Sequence, residues 1–170
     1  EIKLYSVNNT GKHIKNLKTV MREALEDKLT TNSSFLSKRF KVVTEEVYNV
    51  YLTDNELEKL YNAPLGGRQE LVRDLFIIAC CTALRISDFN HISKHNITED
   101  HSIKIKTKKT GKVVEIPFNQ MLYNTLLKYD FEPPTLEEQT FNKLIKIISE
   151  EVGINSIQTY EKIKGGKTIT

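Results

Sequence analysis

Apolar positions recur at helical spacing over residues 10–29, where Leu17, Val20, Met21 and Ala24 fall on one face at about 100° per residue. Thr10 precedes them as the expected N-cap. The periodicity then fades across "NSSFLSKRFKVVTEEVYN", which reads as a linker. A second helix begins at "YLTDNELEKLY", where Thr53 and Glu56 have the spacing of a capping box. After the break "PLGG", a third helix is expected over 69–82, and its second half "LFIIACC" is apolar all round, so it should be a central buried helix. Ser87 is the expected cap of a short helix after it. In "HSIKIKTKKTGKVVEIPF" the period changes to two: Ile103 and Ile105 alternate with Lys104 and Lys106, the chain turns near Gly111, and Val113, Val114 and Ile116 resume the strand until Pro117 stops it. Two further helices are expected near 119–129 and 136–151. The last stretch, "NSIQTYEKIKGGKTIT", carries no clear ending signal. The fold class read from this pattern is mainly α with one small β-hairpin.

Composition changes this picture little and charge changes it more. Hydrophobic residues are 39% and charged residues 28% of 170, which suits a globular protein and excludes global disorder. No apolar run approaches the roughly 20 residues needed to span a bilayer, and the first residues lack the regions of a signal peptide, so no membrane partner is expected and a cytoplasmic location is. Adjacent Cys80 and Cys81 read as small core residues, not as a disulfide framework or a spaced metal site. The net charge of +3 is modest, but five lysines and no acid lie between His101 and Lys112. Lys15, Lys18 and Arg22 also cluster on one side of the first helix. Each basic set has two readings: a solvated flank, or a surface that meets nucleic-acid phosphates.

Several chemistries find no support. The sequence has no Gly-rich phosphate loop, no zinc spacing of the Cys-x-x-Cys or His-Glu-x-x-His type, and no Ser-His-Asp order with elbow glycines. His91 and His95 lie four apart without a flanking acid and read as surface or DNA-proximal histidines, so neither metal nor cofactor is expected. Arg85, directly after the apolar helix, would be a rigidly placed fork of donors for phosphate oxygens. Asp88, three residues on, would orient that guanidinium or a nearby lysine; the alternative is a local ion pair capping two helices. Lys109 at the hairpin tip could reach a DNA groove or protonate a departing sugar oxygen; the alternative is a solvated turn.

These features in this order resemble those of the tyrosine recombinases, a family of phage-type and mobile-element integrases. "TALRISD" after an apolar helix, then a lysine-tipped hairpin ending in "VVEIPF", is similar to the first half of their catalytic domain. "VYLTDNELEKL" resembles the opening of that domain, and "TGKHIKNLKTVMREALED" the last long helix of the SAM-like core-binding domain before it. The resemblance implies the end of a core-binding domain with its linker over 1–46 and the first part of a catalytic domain over 47–170. It implies Arg85 on the scissile phosphate, Asp88 in support, and Lys109 in "KKTGK" as general acid, with Lys108 its rival. Lys15, Lys18, Arg22, Lys106, Lys108 and Lys112 would contact DNA. The family cleaves through a 3′-phosphotyrosine without metal or nucleotide, as a tetramer on double-stranded recombination sites, with room for accessory DNA-bending factors. Arg85 is the last arginine and His101 the last histidine. The family's second arginine, later histidines and nucleophilic tyrosine are therefore not expected here, and Tyr123, Tyr129 and Tyr160 are not assigned that role. The expectation is an integrase shortened at both ends that binds DNA without cutting it.

Overall fold

The structure, a computed structural model, describes residues 5–164 and 167–169. It divides into two compact units, Glu1–Tyr51 with Ile157–Thr170, and Leu52–Ser156. The first unit is built on α1 (Val7–Glu26), which starts at Ser6, not Thr10: the Ser6 hydroxyl accepts the Asn9 amide at 3.3 Å. Gly11 is buried because a Cβ there would lie 1.9 Å from the Val43 carbonyl oxygen, so only glycine lets the following segment cross the helix this closely. Asn8 fixes that crossing from its side-chain amide, donating to the Glu45 carbonyl at 2.9 Å and accepting the Glu45 amide at 2.8 Å. The expected linker is irregular apart from one 3₁₀ turn (Ser34–Leu36), whose Phe35 is buried.

The chain ends in two short antiparallel strands, β3 (Lys162–Lys164) and β4 (Lys167–Ile169), which the sequence pattern did not reveal. Tyr160 stacks on Tyr48, with ring centroids 5.8 Å apart. Leu17 and Val20, expected to face a core, are exposed at 51% and 64%: the helix turns its Gly11 side to the crossing segment instead.

The second unit is organised around α3 (Gly67–Thr82), which packs against α2 (Asp54–Tyr61), α5 (Gln120–Leu127) and α6 (Glu138–Glu151). The capping box of α2 forms as expected, with Thr53 and Glu56 exchanging hydrogen bonds. Val72, Leu75 and Ile78 are fully buried against Leu122, Leu126 and Ile148. Each such side chain contributes about 1.5–3 kcal/mol on burial. Cys81 is half-buried and packs against the core, as expected, whereas Cys80 is exposed, because the last turn of α3 emerges from its neighbours on that side. The hairpin of β1 (Ser102–Lys106) and β2 (Val113–Pro117) lies with Ile103 and Ile105 in the core and Lys104 and Lys106 outside, in the alternation read from the sequence. Among the described residues no helix is long and apolar enough to cross a membrane.

Candidate nucleic-acid interface

The end of α3 is built to place one side chain. Thr82 donates its hydroxyl to the Ile78 carbonyl at 2.7 Å and accepts the Leu84 amide at 3.3 Å, closing the helix. Ala83 then takes the left-handed conformation (φ 53°), which costs a non-glycine residue about 1–2 kcal/mol and turns the chain sharply. Arg85 follows in extended backbone as the N-cap of the short helix α4 (Ile86–Phe89), the position expected for Ser87; its carbonyl accepts the Asp88 and Phe89 amides at 2.7 and 2.9 Å. Phe89 is 2% exposed and packs against Phe141, pinning α4 to the core. Arg85 is thus fixed on both sides along the backbone while its side chain stays exposed, with no hydrogen-bond or ion-pair partner among the described residues. A guanidinium so placed has all its donors available to an anion.

Asp88 is 1% exposed and does not bond Arg85. Its Oδ1 accepts the backbone amide of Lys108 at 2.9 Å, and its Oδ2 has no partner among the described residues. Of the two expected tasks, orienting the guanidinium or orienting a lysine, the contact made is with the lysine segment. This charge-assisted bond ties the hairpin tip to the turn that carries Arg85. The tip is ordered from within as well: the Thr107 amide donates to the Lys112 carbonyl at 2.8 Å, the Thr107 and Thr110 hydroxyls lie 2.7 Å apart, and Gly111 supplies the positive φ (66°) of the turn. Between α3, α4 and the hairpin lies a cavity of about 320 Å³ lined by Arg85, Asp88, Thr107, Thr110 and Lys112 among others. Lys106, Lys108, Lys109 and Lys112 are all exposed. Lys108 Nζ meets His91 Nε2, whereas Lys109 Nζ has no partner among the described residues.

In the other unit, the basic face of α1 is uneven. Lys15 and Arg22 are exposed, but Lys18 is half-buried with its ammonium over the Phe40 ring, 5.8 Å from the centroid. That contact engages the charge in a cation–π interaction worth about 0.5–1 kcal/mol at such sites.

Sequence reasoning missed a buried ion-pair cluster. Arg73 and Asp74, adjacent in α3, are 4% and 0% exposed. Arg73 Nε donates to Asp74 Oδ1 at 2.5 Å, and its Nη1 reaches the Tyr61 and Ala63 carbonyls at 2.7 and 3.0 Å, closing the C-terminus of α2. Asp74 Oδ2 accepts from Lys128 Nζ at 3.2 Å and from the Tyr129 hydroxyl at 2.9 Å. Burial, the hydrogen bond to Asp74 and the nearby negative charge raise the Tyr129 phenol well above its ordinary range. The available signal was an Arg-Asp pair inside an apolar run, flanked by Val72 and Leu75.

No protein-family model matches the chain, and no curated protein matches it by sequence. Solved structures do match. Lambda integrase bound to DNA superposes with a TM-score of 0.64 at 19% identity, over 88% of this chain and 59% of that one. A lambda integrase tetramer bound to a Holliday junction gives 0.62 at 19% identity, over 88% of this chain and 46% of that one. XerA recombinase gives 0.50 at 14% identity, over 84% of this chain and 61% of that one. The chain has the fold of a tyrosine recombinase. It spans about half the length of the integrase chains it matches. The recombinase fold agrees with the resemblance carried by "TALRISD", the lysine-tipped hairpin and "VYLTDNELEKL", and with the mainly helical class read from the pattern.

Proposed function

We propose that this chain is part of a site-specific DNA recombinase that breaks and rejoins mobile DNA through a 3′-phosphotyrosine. In this reading residues 1–46 end a core-binding domain, 47–170 begin the catalytic domain, and the whole protein works in the cytoplasm as a tetramer on duplex recombination sites. The observation that supports it best is Arg85: rigid in backbone, exposed, unpaired among the described residues, and at the rim of a cavity it shares with a lysine-tipped hairpin. Arg85 binds the scissile phosphate, stabilising charge that grows on its oxygens as a tyrosine oxygen attacks phosphorus. The bond from phosphorus to the 5′ oxygen breaks, and Lys109 gives that oxygen its proton. Asp88 holds the hairpin that carries the lysine.

The chain itself binds DNA without cutting. None of its tyrosines is assigned as nucleophile; the Tyr129 hydroxyl is committed to Asp74, and Tyr123 packs edge-on against Phe118. The exposed Lys15, Arg22, Lys106 and Lys112 contact phosphates, so affinity for duplex DNA falls steeply with salt; Lys18 and Lys108, whose ammonium groups are engaged by Phe40 and His91, contribute less. Replacing Lys112 by alanine should reduce the slope of log affinity against log salt by about 1. In the full-length protein, Arg85→Ala should slow strand cleavage about 100-fold with site binding largely kept. Cleavage at the normal rate by that variant would remove Arg85 from the site. Covalent capture of a nicked suicide substrate by the 170-residue chain would overturn its assignment as non-cleaving.

A further inference from the structure

Two neighbouring lysines at the hairpin tip compete for one role, and the structure treats them differently. Lys108 is held at two points: its backbone amide donates to the buried Asp88 carboxylate at 2.9 Å, and its ammonium meets the imidazole Nε2 of His91. Both anchors belong to the α4 segment, for His91 lies two residues past Phe89 and its amide donates to the Asp88 carbonyl at 3.0 Å. An ammonium has only donors, so the contact requires His91 to present a lone pair at Nε2. Lys109, one residue on, has neither anchor among the described residues.

We propose that His91 is a positioning residue that occupies the Lys108 ammonium and thereby leaves Lys109, of the two adjacent tip lysines, as the amine free to meet a ligand. The Asp88 bond fixes where the tip sits; the His91 contact fixes which lysine is engaged. The choice of Lys109 as the amine that acts rests on the recombinase reading, but the clamp on Lys108 does not.

Competitive amine acylation of the intact chain, quantified residue by residue by mass spectrometry, tests the clamp without DNA. Lys109 should react about threefold or more faster than Lys108, the size of effect one exposed hydrogen bond supports. His91→Ala should bring the ratio close to one. His91→Gln, whose side-chain carbonyl can also accept from an ammonium, should restore part of the difference, a rescue that a loss of local folding would not give. Equal reactivity in the unaltered chain, or an unchanged ratio in His91→Ala, overturns the proposal; so does a ratio that responds to Asp88→Asn alone. The functional reading fails separately: if the ratio behaves as expected while Lys109→Ala leaves duplex affinity and full-length cleavage untouched, the clamp stands and the assignment of Lys109 does not.

Discussion

Arg73 and Arg85 stand at opposite ends of the same stretch of chain and are used in opposite ways. Arg73, in the first half of α3, is 4% exposed and its donors go to Asp74, Glu70 and two carbonyls of the α2 terminus. Arg85, past the end of α3, has extended backbone, an exposed side chain and no protein partner among the described residues. Every donor spent inside the protein is one withdrawn from a ligand. The first arginine therefore stabilises the unit that carries it, and the second is left free to act on something outside.

The largest expected effect tests that division directly. Arg73→Leu leaves Asp74 buried with less compensation and should cost about 3–5 kcal/mol in urea denaturation. Arg85→Ala should shift stability by no more than about 0.5 kcal/mol in the same experiment, because it removes no internal bond. Comparable losses at the two sites would erase the contrast.

A smaller effect sharpens the structural side. Tyr129→Phe deletes one hydrogen bond to Asp74 and should cost about 1 kcal/mol. The same variant should change the alkaline limb of stability. The folded-state pKa of Tyr129 is raised, so its contribution is complete below the unfolded value of about 10 and is lost as pH climbs through that value toward the folded one. Stability measured between pH 9 and about 11 should fall less in Tyr129→Phe than in the parent; parallel curves would mean that the phenol is not held neutral by this cluster.

The smallest effect lies at the capping box of α2. The backbone amide and hydroxyl of Thr53 hold the Glu56 carboxyl below its ordinary value. Its contribution is therefore present above the unfolded pKa of about 4.3 and disappears as pH falls through the lower folded value. A carboxyl titration followed by NMR should show the midpoint of Glu56 move up toward that unfolded value in Thr53→Ala. An unmoved midpoint would break the link between cap and carboxylate.

Much of this molecule was legible residue by residue. The capping box at Thr53 and Glu56 depends on a spacing of three, and the hairpin on an alternation of two with a glycine at its turn. Both are local rules, and both elements formed where those rules put them. The rules failed where two local options were close in energy. Thr10 and Ser6 can each cap a helix; Ser6 serves, which brings Asn8 inside α1, where its side chain meets Glu45. Leu17 and Val20 looked like a core face because periodicity gives an apolar side without naming what covers it. Cys80 looked buried for the same reason.

What the sequence determined by itself was where a rigid arginine would follow an apolar helix and where five lysines would gather on one hairpin, since composition and periodicity act over a few residues. Partnership was decided only by tertiary structure. Asp88 lies three residues from Arg85 and twenty from Lys108, yet its carboxylate takes the Lys108 amide, because the hairpin packs its isoleucines into the core and delivers that amide to it. Arg73 became structural and Arg85 remained available through the same cause: burial withdraws polar groups from water and compels them to pair, and only the packed chain sets which groups are buried.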